Sequence, residues 1–231
     1  MTAFQERIDE GPSAALDCHG IIAFIHLHTL YTFATISTDE IDTLFLADES
    51  RPELEYLSPW LYYIRHGCHL VCGFWDTIGN GPLASLALSW ELPTMAEDDI
   101  TADIAQHLVA ATTSFEPTPG LCEQEARDLA LALAAAFRMG DALTIWDAIR
   151  LWPLTLSLNF IALTKAETPA ALMLLSIYGL ILERLDGLWF AEGLSGAIQS
   201  SIDARLSEDQ RQALEALKSR VLMILTTAHR L

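Results

Sequence analysis

Apolar residues recur at intervals of three and four along almost the whole 231-residue chain, the spacing that lines one face of an α-helix. Ile21, Phe24, Ile25, His28, Tyr31 and Thr32 form one such stripe and predict a first helix from about Cys18 to Ile36. No strand-like alternation lasts long enough to build a sheet. The expectation is an all-α fold, a single irregular helical domain of about nine helices over residues 18–231, preceded by a polar segment 1–17 and enclosing a hydrophobic pocket. Hydrophobic residues make up 52% of the chain and charged ones 19%, so much of it must be hidden in a core, a ligand cavity or a subunit interface.

The second major helix is expected from Pro59 to about Ile78, with Ser58 as N-cap and Pro59 at the first helical position. Gly79-Asn-Gly-Pro82 ends it. Further helices are expected over Leu83–Ser89, Ile100–Thr112, Cys122–Phe137 and Asp141–Arg150, where Trp152-Pro153 interrupts the chain. Thr155–Leu163, Pro169–Leu185, Trp189–Gln199 and Ser207–Ala228 complete the series, the last opening on a capping box at Ser207 and Gln210.

Thirteen basic residues against thirty-one acidic ones leave a net charge of -18, which repels a phosphate backbone. The basic residues are scattered, and the group around Arg205, Arg211, Lys218 and Arg220 alternates with acids as a solvated helix face does. No direct nucleic-acid binding is expected. Cys18, Cys68, Cys72 and Cys122 suggest neither a disulfide scaffold nor a zinc ribbon. The polar start is unlike a signal peptide, and the longest apolar stretches fall short of the ~20 residues a membrane span needs. A soluble, cytoplasmic chain is the expectation, nuclear if it is regulatory.

The polar residues of the Pro59–Ile78 helix are the main site candidates. Tyr62, His66, His69, Gly73 and Asp76 recur at three- and four-residue steps, placing them on one face, with Arg65, Cys72 and Trp75 on or beside it. A polar stripe flanked by aromatic residues suits one wall of a ligand cavity. It equally suits a core edge, with His66 and His69 at the surface or bonded to backbone carbonyls and Arg65 paired with a carboxylate such as Asp76. His66, His69 and Cys72 drift by about 60° per step, and no fourth ligand is suggested, so no metal is expected. On the first helix, His28 and Tyr31 stand three apart and share a face; they read as ligand contacts or as a rim histidine and a bonded tyrosine.

Elsewhere, Asp98, Asp99 and Asp103 superficially resemble an aspartate-rich Mg²⁺ motif, but they head a helix, where its dipole favours acids in any case. There is no GxSxG, phosphate loop or dinucleotide fingerprint. No cofactor is expected. Trp146, Trp152, Trp189, Phe190, Met173 and Tyr178 supply aromatic and Met surface to the C-terminal half, mostly as core.

Several short motifs, in order, resemble a known family. They are Cys18-His19-Gly-Ile-Ile-Ala-Phe24, Trp60-Leu61 with Ile64-Arg65-His66-Gly67, and Trp75 with Gly81-Pro82-Leu83. Downstream come Leu151-Trp152-Pro153 with Phe160, Ala170-Ala171-Leu172 with Tyr178-Gly179 and Leu182, and Asp186-Gly-Leu-Trp189-Phe190 with Gly193 and Ile198. Together they resemble the C-terminal regulatory domain of fungal zinc-cluster (Zn2Cys6) transcription factors, in the branch that includes sterol uptake control proteins. The resemblance implies a hydrophobic pocket for a sterol-like molecule, with Met173, Tyr178, Trp189 and Phe190 near it. The six-cysteine zinc cluster is absent from the chain, as are the family's opening helices.

Two functions follow as expectations. One is a stand-alone hydrophobic pocket with cofactor-independent chemistry, a cyclase or pericyclase of fungal secondary metabolism acting on a terpenoid or polyketide. His66, His69, Tyr62 and Arg65 would be its catalytic hydrogen-bonding groups, and His28, Tyr31, Trp75, Asp76, Met173, Tyr178, Trp189 and Phe190 its substrate contacts. The other is a ligand-sensing module that binds the hydrophobic molecule without turning it over, as a homodimer or in association with a zinc-cluster regulator.

Overall fold

The structure is a computed structural model and describes residues 15–35, 61, 64–65, 73–85, 98–116 and 119–228. Among these residues it is all-α, with nine α-helices and no strand. In chain order they are α1 (Ala15–Thr35), α2 (Trp75–Gly79), α3 (Asp99–Thr113), α4 (Glu123–Met139), α5 (Ile145–Leu151), α6 (Leu158–Lys165), α7 (Pro169–Glu183), α8 (Leu194–Asp203) and α9 (Glu208–Ala228).

Local chemistry explains most of the boundaries. The Asp98 side chain accepts the Thr101 amide at 2.8 Å and starts α3. Thr144 and Asp147 form a reciprocal capping box at α5, and Ser157 accepts the Phe160 amide to start α6. Pro169 opens α7, where its missing N–H costs no helical bond. The Ser207 amide donates to Gln210 Oε1 at 2.8 Å at the start of α9. Glu116 carries out the same task from outside α4, its carboxylate accepting the Leu121 and Cys122 amides at 3.0 and 2.9 Å.

Three expected helices are shorter or divided. The helix expected over Pro59–Ile78 is not continuous: Gly73 and Phe74 form a turn, and α2 starts afresh at Trp75. The segment Asp141–Arg150 is split, a 3₁₀ turn over Gly140–Ala142 giving way to extended backbone at Leu143 and Thr144 before α5. The helix expected from Trp189 begins only at Leu194, because Gly193 before it adopts φ 75°, a left-handed conformation that resists helix propagation. The expected helix Leu83–Ser89 lies outside the described residues beyond position 85.

The centre of the molecule is α7, buried at every position from Ala170 to Leu182. It touches α3, α4, α6, α8 and α9, which explains why it is apolar on all sides. Around it, Trp152, Phe160 and Tyr178 pack ring against ring, with Trp152 centroids 5.5 Å from Phe160 and 5.3 Å from Tyr178. Both polar tips are satisfied: Trp152 Nε1 donates to the Glu125 carbonyl at 3.0 Å and Tyr178 Oη to the Ala148 carbonyl at 3.1 Å. Gly179 lets α8 come close, since a Cβ there would stand 2.8 Å from Gln199 Nε2. Ser195 donates to the Gly179 carbonyl at 3.0 Å, and Gln199 both donates to the Ser176 carbonyl and accepts from Ser176 Oγ.

Among the described residues no single helix is long and apolar enough to cross a membrane. Helices α6 and α7 together reach that length but meet at 103°, through a turn in which Glu167 takes φ 52°.

Candidate functional site

The sequence-predicted site is only partly within the described residues. Tyr62, His66 and His69 lie outside them. Arg65 is described, and its guanidinium reaches across to the chain after α5: Nη2 donates to the Pro153 carbonyl at 3.1 Å and also to the Leu156 carbonyl. Asp76, the carboxylate partner suggested for it, is exposed and sits past the break at Gly73-Phe74, so the expected stripe does not continue to it. Burial lowers the Arg65 pKa from its ordinary value, although a guanidinium stays charged at any working pH. Its Nε and the Arg150 Nη1 are buried without a hydrogen-bond partner, and Arg150 donates to Asp147 and to the Trp146 carbonyl. Arg65 therefore ties one segment to another through backbone acceptors.

The proposed substrate contacts scatter. Met173 is fully buried and Tyr178 is 1% exposed; both are packed core, the phenol spent on Ala148, and burial raises the Tyr178 pKa. Trp189 lies in the turn after α7, 78% exposed, edge-on to the half-buried Phe190 at 5.5 Å. Tyr31 is 69% exposed. His28, half-buried, contacts Phe24 at 5.4 Å and lies 3.2 Å from Thr32 Oγ1, and Trp75 packs on the core from its edge. Of these residues Trp189 and Phe190 touch each other, Met173 and Tyr178 are spent on the core, and Tyr31 and Trp189 face solvent.

The histidine that looks inward on α1 is His26. It is buried, donates from Nδ1 to the Ile22 carbonyl at 2.8 Å, and lies with its ring 3.9 Å from that of Trp146. Burial depresses its pKa, against a smaller opposing effect of the carbonyl bond. The buried thiol of Cys122 is pushed up to about 12, first by desolvation and then by the Glu116 carboxylate, so it is unreactive near neutrality.

A groove of about 430 Å³ opens between the first turns of α3 and the last turns of α9, lined by Asp99, Ile100, Asp103, Arg220, Met223, Ile224 and Thr227. Its floor is apolar. Ile100 and Ile224 rest on the core, while Met223 is 49% exposed. The size and the mix of apolar floor with a few polar groups suit a small ligand. One edge is electrostatically linked: Arg220 Nε donates to His107 Nε2 at 3.0 Å, and Asp103 Oδ1 lies 3.3 Å from the same nitrogen. That nitrogen can accept from Arg220 or, once protonated, donate to Asp103, but not both. Arg220 Nε can only donate, so in this contact the nitrogen serves as the acceptor. Next to the groove, Asp98 pairs with Arg138 of α4 at 3.1 Å. Its carboxyl is held below the usual range chiefly by the Thr101 amide and hydroxyl.

Of the groove residues, sequence reasoning weighed only Asp99 and Asp103, as a Mg²⁺ motif that it set aside. Asp99 and Asp103 read as helix-start acids and Arg220 as part of a solvated face, and each description is locally correct. The signal was the apolar Ile100, Met223 and Ile224 beside them, but only packing brings α3 against α9, across 113 residues in the case of His107 and Arg220. Among the described residues no group of three or more His, Cys, Asp or Glu side chains could hold a metal ion. Comparison with protein-family models, with curated proteins and with solved structures finds no match to this chain.

Proposed function

We propose that the chain is a regulatory ligand-binding module, taking a largely apolar small molecule in the groove between α3 and α9 without turning it over. The observation that carries this reading is the groove itself, with an apolar floor, a volume in the range of small-molecule sites and a half-exposed Met223. The groove is shallow and largely open to solvent. Cyclisation controlled by shape needs a site that encloses its substrate and excludes water, so the geometry favours binding over catalysis. The engagement of Arg65 with Pro153 and Leu156 points the same way, since it occupies one of the hydrogen-bonding groups a cyclase would have used. The resemblance to zinc-cluster regulatory domains supports a role exerted through such a regulator, in the cytoplasm or, with its partner, in the nucleus.

Thermal unfolding of the full chain with a panel of sterols, terpenoids, fatty acids and fatty amines tests the proposal. A ligand present at 100 times its dissociation constant stabilises by about 2.7 kcal/mol, which raises Tm measurably. The expected result is such a rise with the ligand recovered unchanged. Recovery of a cyclised product would replace the binding reading with the enzymatic one, and no rise with any of the panel would remove both.

A further inference from the structure

We infer that His107 is a proton-operated latch between α3 and α9: neutral, it holds Arg220 of α9 through Nε2, and protonated it releases Arg220 and gives the same nitrogen to Asp103 of its own helix. The latch goes beyond the reading of the groove as a binding site and needs no ligand. Arg220 Nε–H approaches His107 Nε2 at 3.0 Å, so the lone pair of that nitrogen serves α9 and the ring proton stays on Nδ1. Asp103 Oδ1 stands 3.3 Å from the same nitrogen and, ionised, can only accept. A proton arriving at Nε2 therefore removes the acceptor that Arg220 uses, sets two cations side by side and offers Asp103 a donor. The His107 and Asp103 side chains are 34% and 43% exposed, so the proton reaches the ring without unfolding. The second partner is already in place, because Asp103 and His107 lie one turn apart on α3, whereas Arg220 comes from 113 residues away.

The other charges on the neighbouring elements are engaged elsewhere. On α4, Arg138 pairs with Asp98, Arg127 with Glu123, Glu125 accepts from Ser157 and Asp128 from Gln124. On α9, Lys218 pairs with Glu215 and Arg211 with Glu208. Between Ala170 and Leu182, α7 has Tyr178 as its one ionisable side chain, spent on Ala148. Asp99, one turn before Asp103, borders the groove with Arg220. Leu108 of α3 and Val221 of α9 are both fully buried in the core, so the release is confined to the polar edge, where Arg220 forms part of the groove wall.

The test is nitrogen NMR of the full chain, with no ligand added, from about pH 8 to about pH 5, the range in which histidine changes charge. At the upper end a coupling through the hydrogen bond between Arg220 Nε and His107 Nε2 is expected; at the lower end it disappears and Nε2 carries a proton. His107→Gln is the reference, because its amide oxygen can accept from Arg220 and does not titrate, while His26 and His28 still change charge in it. Amide exchange in the last turns of α9, corrected for its intrinsic pH dependence, is expected to quicken about two- to fivefold more in the wild type than in His107→Gln as the pH falls. Asp103→Asn removes the charge that favours the protonated ring and is expected to move the loss of the coupling to lower pH. Absence of the coupling at pH 8, or its persistence to pH 5, would overturn the inference. So would α9 exchange with the same pH dependence in the wild type and in His107→Gln, or a loss of coupling that Asp103→Asn leaves at the same pH.

Discussion

His26 illustrates how burial at one position becomes a property of the fold. Its ring lies against Trp146 and its Nδ1–H is used on Ile22, so the native state favours the neutral imidazole and lowers its pKa, chiefly through desolvation. His28 is lowered from the same 6.5 for the same reason. The unfolded chain binds more protons than the folded one between those lowered values and about 6.5, so stability rises with pH across that window. The stabilisation is complete above about 6.5 and is lost as pH falls through the folded values. Urea unfolding of the wild type between pH 7.5 and 5 should therefore show declining stability, and His26→Phe should decline less steeply. An equal slope in the two proteins would show that His26 does not carry the effect. Two residues apart on a helix, His26 and His28 point to different faces; which one turns inward depends on how α1 lies against Trp146, and no residue near His26 in the chain encodes that.

At the scale of elements, the contact between α7 and α8 is set by the absence of a side chain. Gly179 costs helix propensity, about 1 kcal/mol against alanine, yet a Cβ there would meet Gln199 Nε2 at 2.8 Å and Ser195 Oγ at 3.4 Å. Gln199 also accepts from Lys218 Nζ at 2.7 Å, so the same amide connects α7, α8 and α9. Gly179→Ala is expected to destabilise by about 1–3 kcal/mol through overpacking, opposite in sign to its effect on an isolated helix. Chemical denaturation of the variant checks this, and a gain in stability would show that Gln199 moves aside at little cost. The helix itself was legible in the sequence, because thirteen consecutive buried positions leave an unmistakable apolar run. The divisions at Gly73-Phe74 and at Leu143-Thr144 were not, since apolar periodicity continues through both; at the second, the local capping box of Thr144 and Asp147 is what restarts the helix.

For the whole molecule, Trp152, Phe160 and Tyr178 join α5, α6 and α7 in one aromatic centre, with Trp152 bonded to α4 as well. Removing the indole leaves a cavity in contact with several helices and takes away the Trp152 Nε1 donor to the Glu125 carbonyl. Trp152→Ala is expected to cost about 3–5 kcal/mol, and to lower Tm while leaving one cooperative transition in calorimetry. Two separate transitions would mean that the helices on either side of Trp152 fold as independent units. The all-α class followed from the sequence alone, as did the cap of α9 at Ser207 and Gln210, because periodicity and capping act within a few residues. The destination of each polar side chain did not: Arg65 on two carbonyls, Tyr178 on Ala148 and the meeting of Asp103, His107 and Arg220 at a groove all depend on partners remote in the chain. Hydrogen bonds and ion pairs are decided by which helix faces come into contact, and only the packed tertiary structure makes that choice.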